Sequence, residues 1–261
     1  MRTDDLVDTL GQARLAGEPL PEDVYSTMPD RHEAAYALQD QLAVWLSDNG
    51  LGAVAGFKAE STNDTAQAAL GLDGPLLGRL MSGRQMLSGD SIKRGNCPIG
   101  VECELAFRVG HDVAPWAETW QPAEVGAVLA EAIPAIEIIE NRYGKPPERP
   151  VTAIIADDIF QKAYVLGPAN AAWRDMPLEA ITARVSVNGR EVAVGGGANV
   201  LGNPLNSVAF VLNNLSKRGL LLHAGAVIMT GTMTPAFFMN EFPAEIEIEL
   251  DGIGTCKATV T

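Results

Sequence analysis

"VECELAFRVG", residues 101–110, alternates apolar side chains at Val101, Cys103, Leu105, Phe107 and Val109 with Glu102 and Glu104. Alternation is the period of a strand, in which side chains two positions apart share a face at about 7 Å. The apolar set therefore faces a core, and two carboxylates stand side by side on the other face. Such a pair is either part of a solvated acidic face or gathered around a cation. "AEIEIEL", residues 244–250, offers the comparison: Glu245, Glu247 and Glu249 alternate with Ile246, Ile248 and Leu250, as in a half-buried strand with its acids in water. On pattern alone, both readings of Glu102 and Glu104 stand.

Glu137 sharpens the question, because it sits in "AIPAIEII" among Ile133, Ile136, Ile138 and Ile139. An ionised carboxylate there costs several kcal/mol unless something compensates it. It faces the surface, pairs with Arg142 or Lys58, or converges with the 102/104 pair. Three carboxylates from two strands would make a hard oxygen site suited to Mg2+ or Mn2+. His32, His111 and His223 are the chain's three histidines, and none falls in a zinc spacing. Lys58, in "AVAGFKAES", is either a lysine snorkelling from a strand end or a desolvated ammonium that holds an anionic substrate or moves a proton.

The rest of the chain sets the frame. Residues 3–16 predict a helix, and Asp30 reads as the N-cap of a second, "RHEAAYALQDQLAVWL", ending near Gly50. "LGAVAGFKAE" predicts a strand, "TNDTAQAALG" a short helix and "LDGPLLGRLMSGR" a loop. Strands dominate from residue 92. A helix is expected over "PAEVGAVLAEA", stopped or kinked at Pro134, then a strand at "AIEIIE". Asn188-Gly189 suits a type I′ hairpin, Gly202-Asn203-Pro204 precedes a helix, and the last strand pair turns at Asp251-Gly252. "GGGAN" at 196–200 lacks the GK[ST] ending of a phosphate loop and reads as a turn, and "TGTMTP" contains no nucleophile elbow. The organisation expected is α+β: a helical subdomain over 1–91 and a strand-rich core over 92–261, acting as one functional unit.

With 33 acidic and 19 basic residues the net charge is −14. That opposes binding to nucleic acid or an anionic membrane, though a bound cation can reverse the field locally. No apolar run is long enough to span a bilayer, and the acidic amphipathic start is unlike a signal peptide. Cys97, Cys103 and Cys256 form no CxxC, so a reducing cytoplasm is the expected location.

Taken in order, "AAYALQDQL", "GFKAES", "VECELAFRVG", "IPAIEIIENRY", "AYVLGP", "GNPLNSVAFVLNNL" and "AGAVIMTGTMTP" resemble the 2-keto-4-pentenoate hydratase and 4-oxalocrotonate decarboxylase group of the fumarylacetoacetate hydrolase superfamily. The matching segments are spread over residues 34–235, so the resemblance covers most of the chain, and its most specific element is Glu-x-Glu followed about thirty residues later by "PAIE". It implies a mixed β-sandwich roll, Glu102, Glu104 and Glu137 as ligands of Mg2+ or Mn2+, and Lys58 as the active-site lysine. It further implies a hydratase that converts a 2-hydroxy-2,4-dienoic or 2-oxo-enoic acid into a 4-hydroxy-2-oxo acid. A 4-oxalocrotonate-type decarboxylase, an acylpyruvate-type C–C hydrolase and a non-catalytic partner subunit are the alternatives. A homo-oligomer is expected, with a complex with a pathway decarboxylase as a further option. Where relatives carry an acid near "GPLLGRLM" this chain has Gly78 and Arg79; their "ADNAS" is Ala156-Asp157-Asp158-Ile159-Phe160, and their "AGD" ends here in Ala226. Arg79, Lys162 and Thr232 are the substrate-binding candidates, the first two as receivers of a second carboxylate.

Overall fold

The computed structural model describes residues 2–261. Helix α1 (Thr3–Ala16) carries Asp4 and Asp5 in its first turn and closes on Gly17 at φ +68°, charge and glycine each where the helix termini favour them. Helix α2 (His32–Leu46) begins from Arg31 without a side-chain cap, so Asp30 does not cap it. Its last turn widens through Ser47–Leu51 and breaks at Gly50, φ +93°, where the end was expected. Strand β1 (Val54–Glu60) and helix α3 (Asp64–Leu70) follow, the helix capped by the Asn63 side chain.

Two expectations fail next. "LLGRLM" is strand β2 (Leu76–Met81), not loop: it is buried along its whole length and pairs antiparallel with β1. Burial on both faces removes the alternation that marks a strand, and Pro75 and Gly78 then mimic a loop. After β3 (Gln85–Leu87), β4 (Ser91–Ile92) and β5 (Ile99–Val109), the helix expected over 122–132 shrinks to one turn, α4 (Pro122–Val125), with a short 3-10 turn behind it. Strand β6 (Leu129–Glu140) then runs straight through Pro134. Pro134 neither stops nor kinks it because its missing N–H faces the side where the next strand ends at Leu166; only its carbonyl is used, by the N–H of Gly167.

Helix α5 (Val151–Ala156) leads into β7 (Gln161–Leu166). The hairpin β8 (Thr182–Val187) and β9 (Arg190–Gly196) turns at Asn188 and Gly189, φ +51° and +74°. Helix α6 (Pro204–Lys217), capped by Asn203, precedes β10 (Val227–Thr232), β11 (Phe237–Phe238), β12 (Ala244–Leu250) and β13 (Gly254–Val260).

The larger sheet has the order β2-β1-β10-β5-β6-β7-β3, with β11 on the end of β5; the smaller is β4-β13-β12-β8-β9. One face of the large sheet, with Val101, Cys103, Leu105, Ile136 and Val165, packs on Ile246, Ile248 and Ala258 of the small sheet and on α6. The large sheet curls until β2 touches β7. Its concave face encloses a small apolar cluster of Leu80, Ala106, Ile133, Tyr164 and Met229. Helices α1, α2 and α5 form their own core with Leu76 and Met81 of β2. The result is the expected α+β sandwich roll with a helical N-terminal part. Strands β1, β2 and β3, which precede residue 91, belong to the large sheet. Among the described residues no helix is long and apolar enough to cross a membrane.

Candidate metal and substrate site

Strand register assembles the site on the concave face. Glu102 of β5 pairs directly with Glu137 of β6, and Glu104 lies two residues further along the same face of β5. Lys58 of β1 sits two strands away, beyond β10, and its long side chain crosses that gap. Its ammonium donates to Glu137 Oε1 at 2.6 Å, to Glu60 Oε2 at 3.1 Å and to the carbonyl of Ile159 at 2.8 Å. Glu104 and Glu137 are 0% exposed and Glu102 6%, so the solvated-face reading does not hold for them. Glu245, Glu247 and Glu249 are exposed, as the alternation in β12 predicts. Arg142 is not the partner of Glu137: it binds Glu140 at 3.1 Å and Asp157 at 2.7 Å. Nor does Lys58 snorkel, since it is fully buried.

Four carboxylates, counting Glu60, thus surround one ammonium. Burial pushes Glu102 and Glu104 well above the usual carboxylate range, and neighbouring acids add to it. In Glu104 the backbone N–H of Gly231, at 2.8 Å, works against that rise. Burial raises Glu137 to about 7 against the pull of Lys58. Burial alone would lower Lys58, but Glu137, Glu60 and Glu102 outweigh it and leave the ammonium held above its ordinary value.

Glu102 Oε2, Glu104 Oε1 and Glu137 Oε2 are buried without a hydrogen-bond partner. Glu60, Glu102 and Glu137 each present an oxygen within 4.8 Å of the others. Orphaned, mutually repelling buried oxygens are costly on their own and suit a hard divalent cation that neutralises them. The donor set therefore fits such an ion.

A cavity of about 440 Å3 opens beside the cluster, lined by Glu60, Thr62, Glu102, Thr232 and Thr234 among others. Thr232 accordingly borders the site. Arg79 does not: it pairs with Phe57 across β1 and β2, its guanidinium binds Gln39 and Asp40, and it borders a different cavity, of about 730 Å3. Lys162 is held by Glu140 at 2.5 Å in the Arg142–Asp157 cluster. Neither candidate cation reaches the carboxylates. Gly78 pairs with Lys58, and a Cβ there would lie 2.8 Å from Lys58 Cγ, so the lysine stem occupies the space a side chain would need.

Glu60 escaped the sequence reading although Lys58-x-Glu60 repeats the spacing of Glu102-x-Glu104. Asp158 also matters: its carboxylate accepts from Arg79 N at 2.7 Å and from Arg14 at 3.3 Å. No local signal marks Arg14, which arrives from α1.

The Fumarylacetoacetate (FAA) hydrolase C-terminal family model matches residues 84–261. A 2-keto-4-pentenoate hydratase of Paraburkholderia xenovorans is 28% identical over 97% of this chain and 93% of its own. A 4-oxalocrotonate decarboxylase of Pseudomonas putida is 28% identical over 86% of this chain and 83% of its own. The structure of the 4-oxalocrotonate decarboxylase of Pseudomonas putida G7, complexed with magnesium and adipate, superposes with a TM-score of 0.89 at 23% identity, covering 99% of this chain and 97% of that one.

Proposed function

The chain belongs to the fumarylacetoacetate hydrolase family, and from that premise we propose that it is a divalent-metal-dependent hydratase of 2-hydroxy-2,4-dienoic or 2-oxo-enoic acids such as 2-hydroxypenta-2,4-dienoate, forming a 4-hydroxy-2-oxo acid. The observation that carries this reading is the set of three partnerless buried carboxylate oxygens on Glu102, Glu104 and Glu137 beside a buried lysine. These three residues would hold Mg2+ or Mn2+, with Glu60 closing the cluster and fixing Lys58. The ion, when bound, supplies Lewis-acid polarisation of the substrate's 2-oxo group.

The chain's own groups do the rest. Lys58 keeps its proton at neutral pH and is clamped by two carboxylates and one carbonyl. It places a fixed positive charge next to the developing enolate oxygen and exchanges its proton through Glu60 or Glu137. Burial of the cluster excludes bulk water, so the Glu60–Glu102 side of the cavity is the route by which substrate and the added water arrive.

Glu104→Gln should weaken Mg2+ binding, measured by titration calorimetry, and lower turnover at least about 100-fold, while the circular dichroism spectrum stays native. Undiminished turnover in that variant would count decisively against the mechanism. The decarboxylase reading is supported by the P. putida relative, which matches at the same 28% identity as the hydratase. Product analysis separates the two: a hydroxylated keto acid supports the hydratase, CO2 release the decarboxylase. No histidine lies among the residues lining the cavity, which leaves a histidine-assisted hydrolase without its base.

A further inference from the structure

We propose that Gly231 is a positioning residue for the carboxylate cluster: the bulge it makes in β10 occupies one oxygen of Glu104, as Lys58 occupies one oxygen of Glu137, so that each acid offers a cation a single oxygen. The proposal rests on the metal-dependent lyase reading and adds to it a filter against Ca2+, which readily takes both oxygens of a carboxylate.

The bulge is visible in the strand register. Met229 pairs with Ala106 and Thr232 with Glu104, so Thr230 and Gly231 of β10 together face the single residue Leu105 of β5. Three hydrogen bonds pin it. The Thr230 hydroxyl donates to the Leu105 carbonyl at 2.7 Å, and the Ser207 hydroxyl of α6 donates to the Thr230 carbonyl at 2.6 Å. Just beyond, the Met233 N–H donates to the Cys103 carbonyl at 2.8 Å. Gly231 has φ +103°, which L side chains rarely adopt, and a Cβ there would stand 2.3 Å from Thr62 Oγ1. In this conformation the Gly231 N–H donates to Glu104 Oε2 at 2.8 Å.

The consequence lies in which oxygens remain. Glu104 keeps Oε1, and Glu137, whose Oε1 accepts from Lys58 at 2.6 Å, keeps Oε2; both are buried without a partner. Glu60 keeps neither, since Lys58 holds its Oε2 at 3.1 Å and the Ser61 N–H holds its Oε1 at 2.9 Å. A donor's positive hydrogen on an oxygen repels a dication approaching that oxygen, and an ammonium does so with a full charge. Mg2+ takes a compact shell of single oxygens and waters, whereas the larger Ca2+ takes more ligands and accepts bidentate carboxylates. A cluster offering one oxygen from Glu104 and one from Glu137 matches the smaller ion.

Two measurements on the full chain, neither of them turnover, test this. In amide hydrogen exchange followed by NMR, Glu104→Ala removes the acceptor and should speed exchange of the Gly231 N–H at least about tenfold, whereas Glu102→Gln should leave it slow. In calorimetric titrations the parent should bind Mg2+ more tightly than Ca2+. Lys58→Met frees Glu137 Oε1 and should raise the affinity for Ca2+ relative to Mg2+ about tenfold; the lost positive charge strengthens both dications alike and cancels in the ratio. Gly231→Ala combined with Thr62→Ala, which clears the two atoms nearest the new Cβ, should move the ratio the same way. If that double variant does not fold, amide exchange and the Lys58→Met ratio decide. A parent that binds Mg2+ but prefers Ca2+, a ratio unchanged in Lys58→Met, or Gly231 exchange indifferent to Glu104→Ala overturns the proposal and leaves the lyase reading standing. Failure of the parent to bind Mg2+ overturns both.

Discussion

Lys58 is the single positive charge among three buried carboxylates and the half-buried Glu60, and its removal isolates the cost of gathering them. Lys58→Met leaves Glu137 and Glu60 without their donor and should destabilise the metal-free protein by about 3–5 kcal/mol in a urea titration. Added Mg2+ should recover part of that loss, and a variant as stable as the parent would mean that the carboxylates are not charged together. Glu137 gives the pH dependence. Its folded value, about 7, lies above the ordinary glutamate value of 4.5, so the folded state binds more protons than the unfolded state between those values. Stability of the metal-free chain therefore falls as pH rises through this window. Protons and the dication compete for the same oxygens, so the Mg2+-induced rise in Tm should be larger at about pH 8 than at about pH 5.5. Equal shifts would remove Glu137 from the ion's surroundings. Much of this cluster was legible at the level of single residues. Alternation placed Glu102 and Glu104 on one face, and apolar neighbours marked Glu137 and Lys58 as anomalous. Arg79 lies on the face of β2 opposite Gly78, which pairs with Lys58, and a sequence does not say which face of a buried strand turns inward; Lys162 is engaged by Glu140.

At the scale of elements, the Lys58 ammonium depends on the connection between α5 and β7. Asp158, Ile159 and Phe160 all have positive φ, 57°, 50° and 59°. Each such non-glycine residue costs about 1–3 kcal/mol and persists only when its surroundings over-determine it. The return is that the Ile159 carbonyl faces Lys58. The restraints come from distant elements: Arg14 of α1 donates to the Asp157 carbonyl at 2.7 Å and to the Asp158 carboxylate at 3.3 Å. Arg142 and Tyr143 bind the Asp157 carboxylate at 2.7 and 3.0 Å. Arg14→Leu should therefore lower kcat by about tenfold with a smaller effect on Mg2+ affinity, since the proposed ligands lie on β5 and β6 rather than on this connection. A variant whose only defect is lower Tm would reduce Arg14 to a packing role. This device could not be read in advance, because three left-handed residues in "DIF" carry none of the glycine or asparagine signals of that conformation. β2 and β6 were misread for related reasons. Burial on both faces erases the strand period, and a proline at the end of a neighbouring strand's pairing breaks nothing.

Across the whole molecule, the carboxylate cluster sits on the concave face of a sheet whose edges nearly meet, so an ion held there would cross-link β5 and β6 at the centre of the roll. The α+β division was legible in the alternating strands and in the hairpin signals Asn188-Gly189 and Asp251-Gly252, whereas the sandwich roll was expected only from the family resemblance. Residue pattern alone does not show the curl, since it depends on contacts between β2 and β7, far apart in sequence. Ligand binding confined to the folded state contributes RT ln(1 + [L]/Kd), about 2.7 kcal/mol at a hundredfold excess over Kd. For a chain of this size each kcal/mol moves Tm by about 2–4 °C. Chelation of the divalent ion should therefore lower Tm by roughly 5–10 °C and speed amide exchange in β5 and β6 more than in α1 and α2, with Mg2+ or Mn2+ restoring both. The exposed acids of β12 are the internal control, because they are equally dense in charge but hydrated, with Glu247 only 3.1 Å from the exposed Lys257. Glu247→Gln should leave the chelation effect intact, whereas Glu102→Gln should abolish it. A thermal shift that survives Glu102→Gln would mean that the −14 net charge binds divalent ions diffusely at the surface, and the roll would then have no need of an ion at its centre.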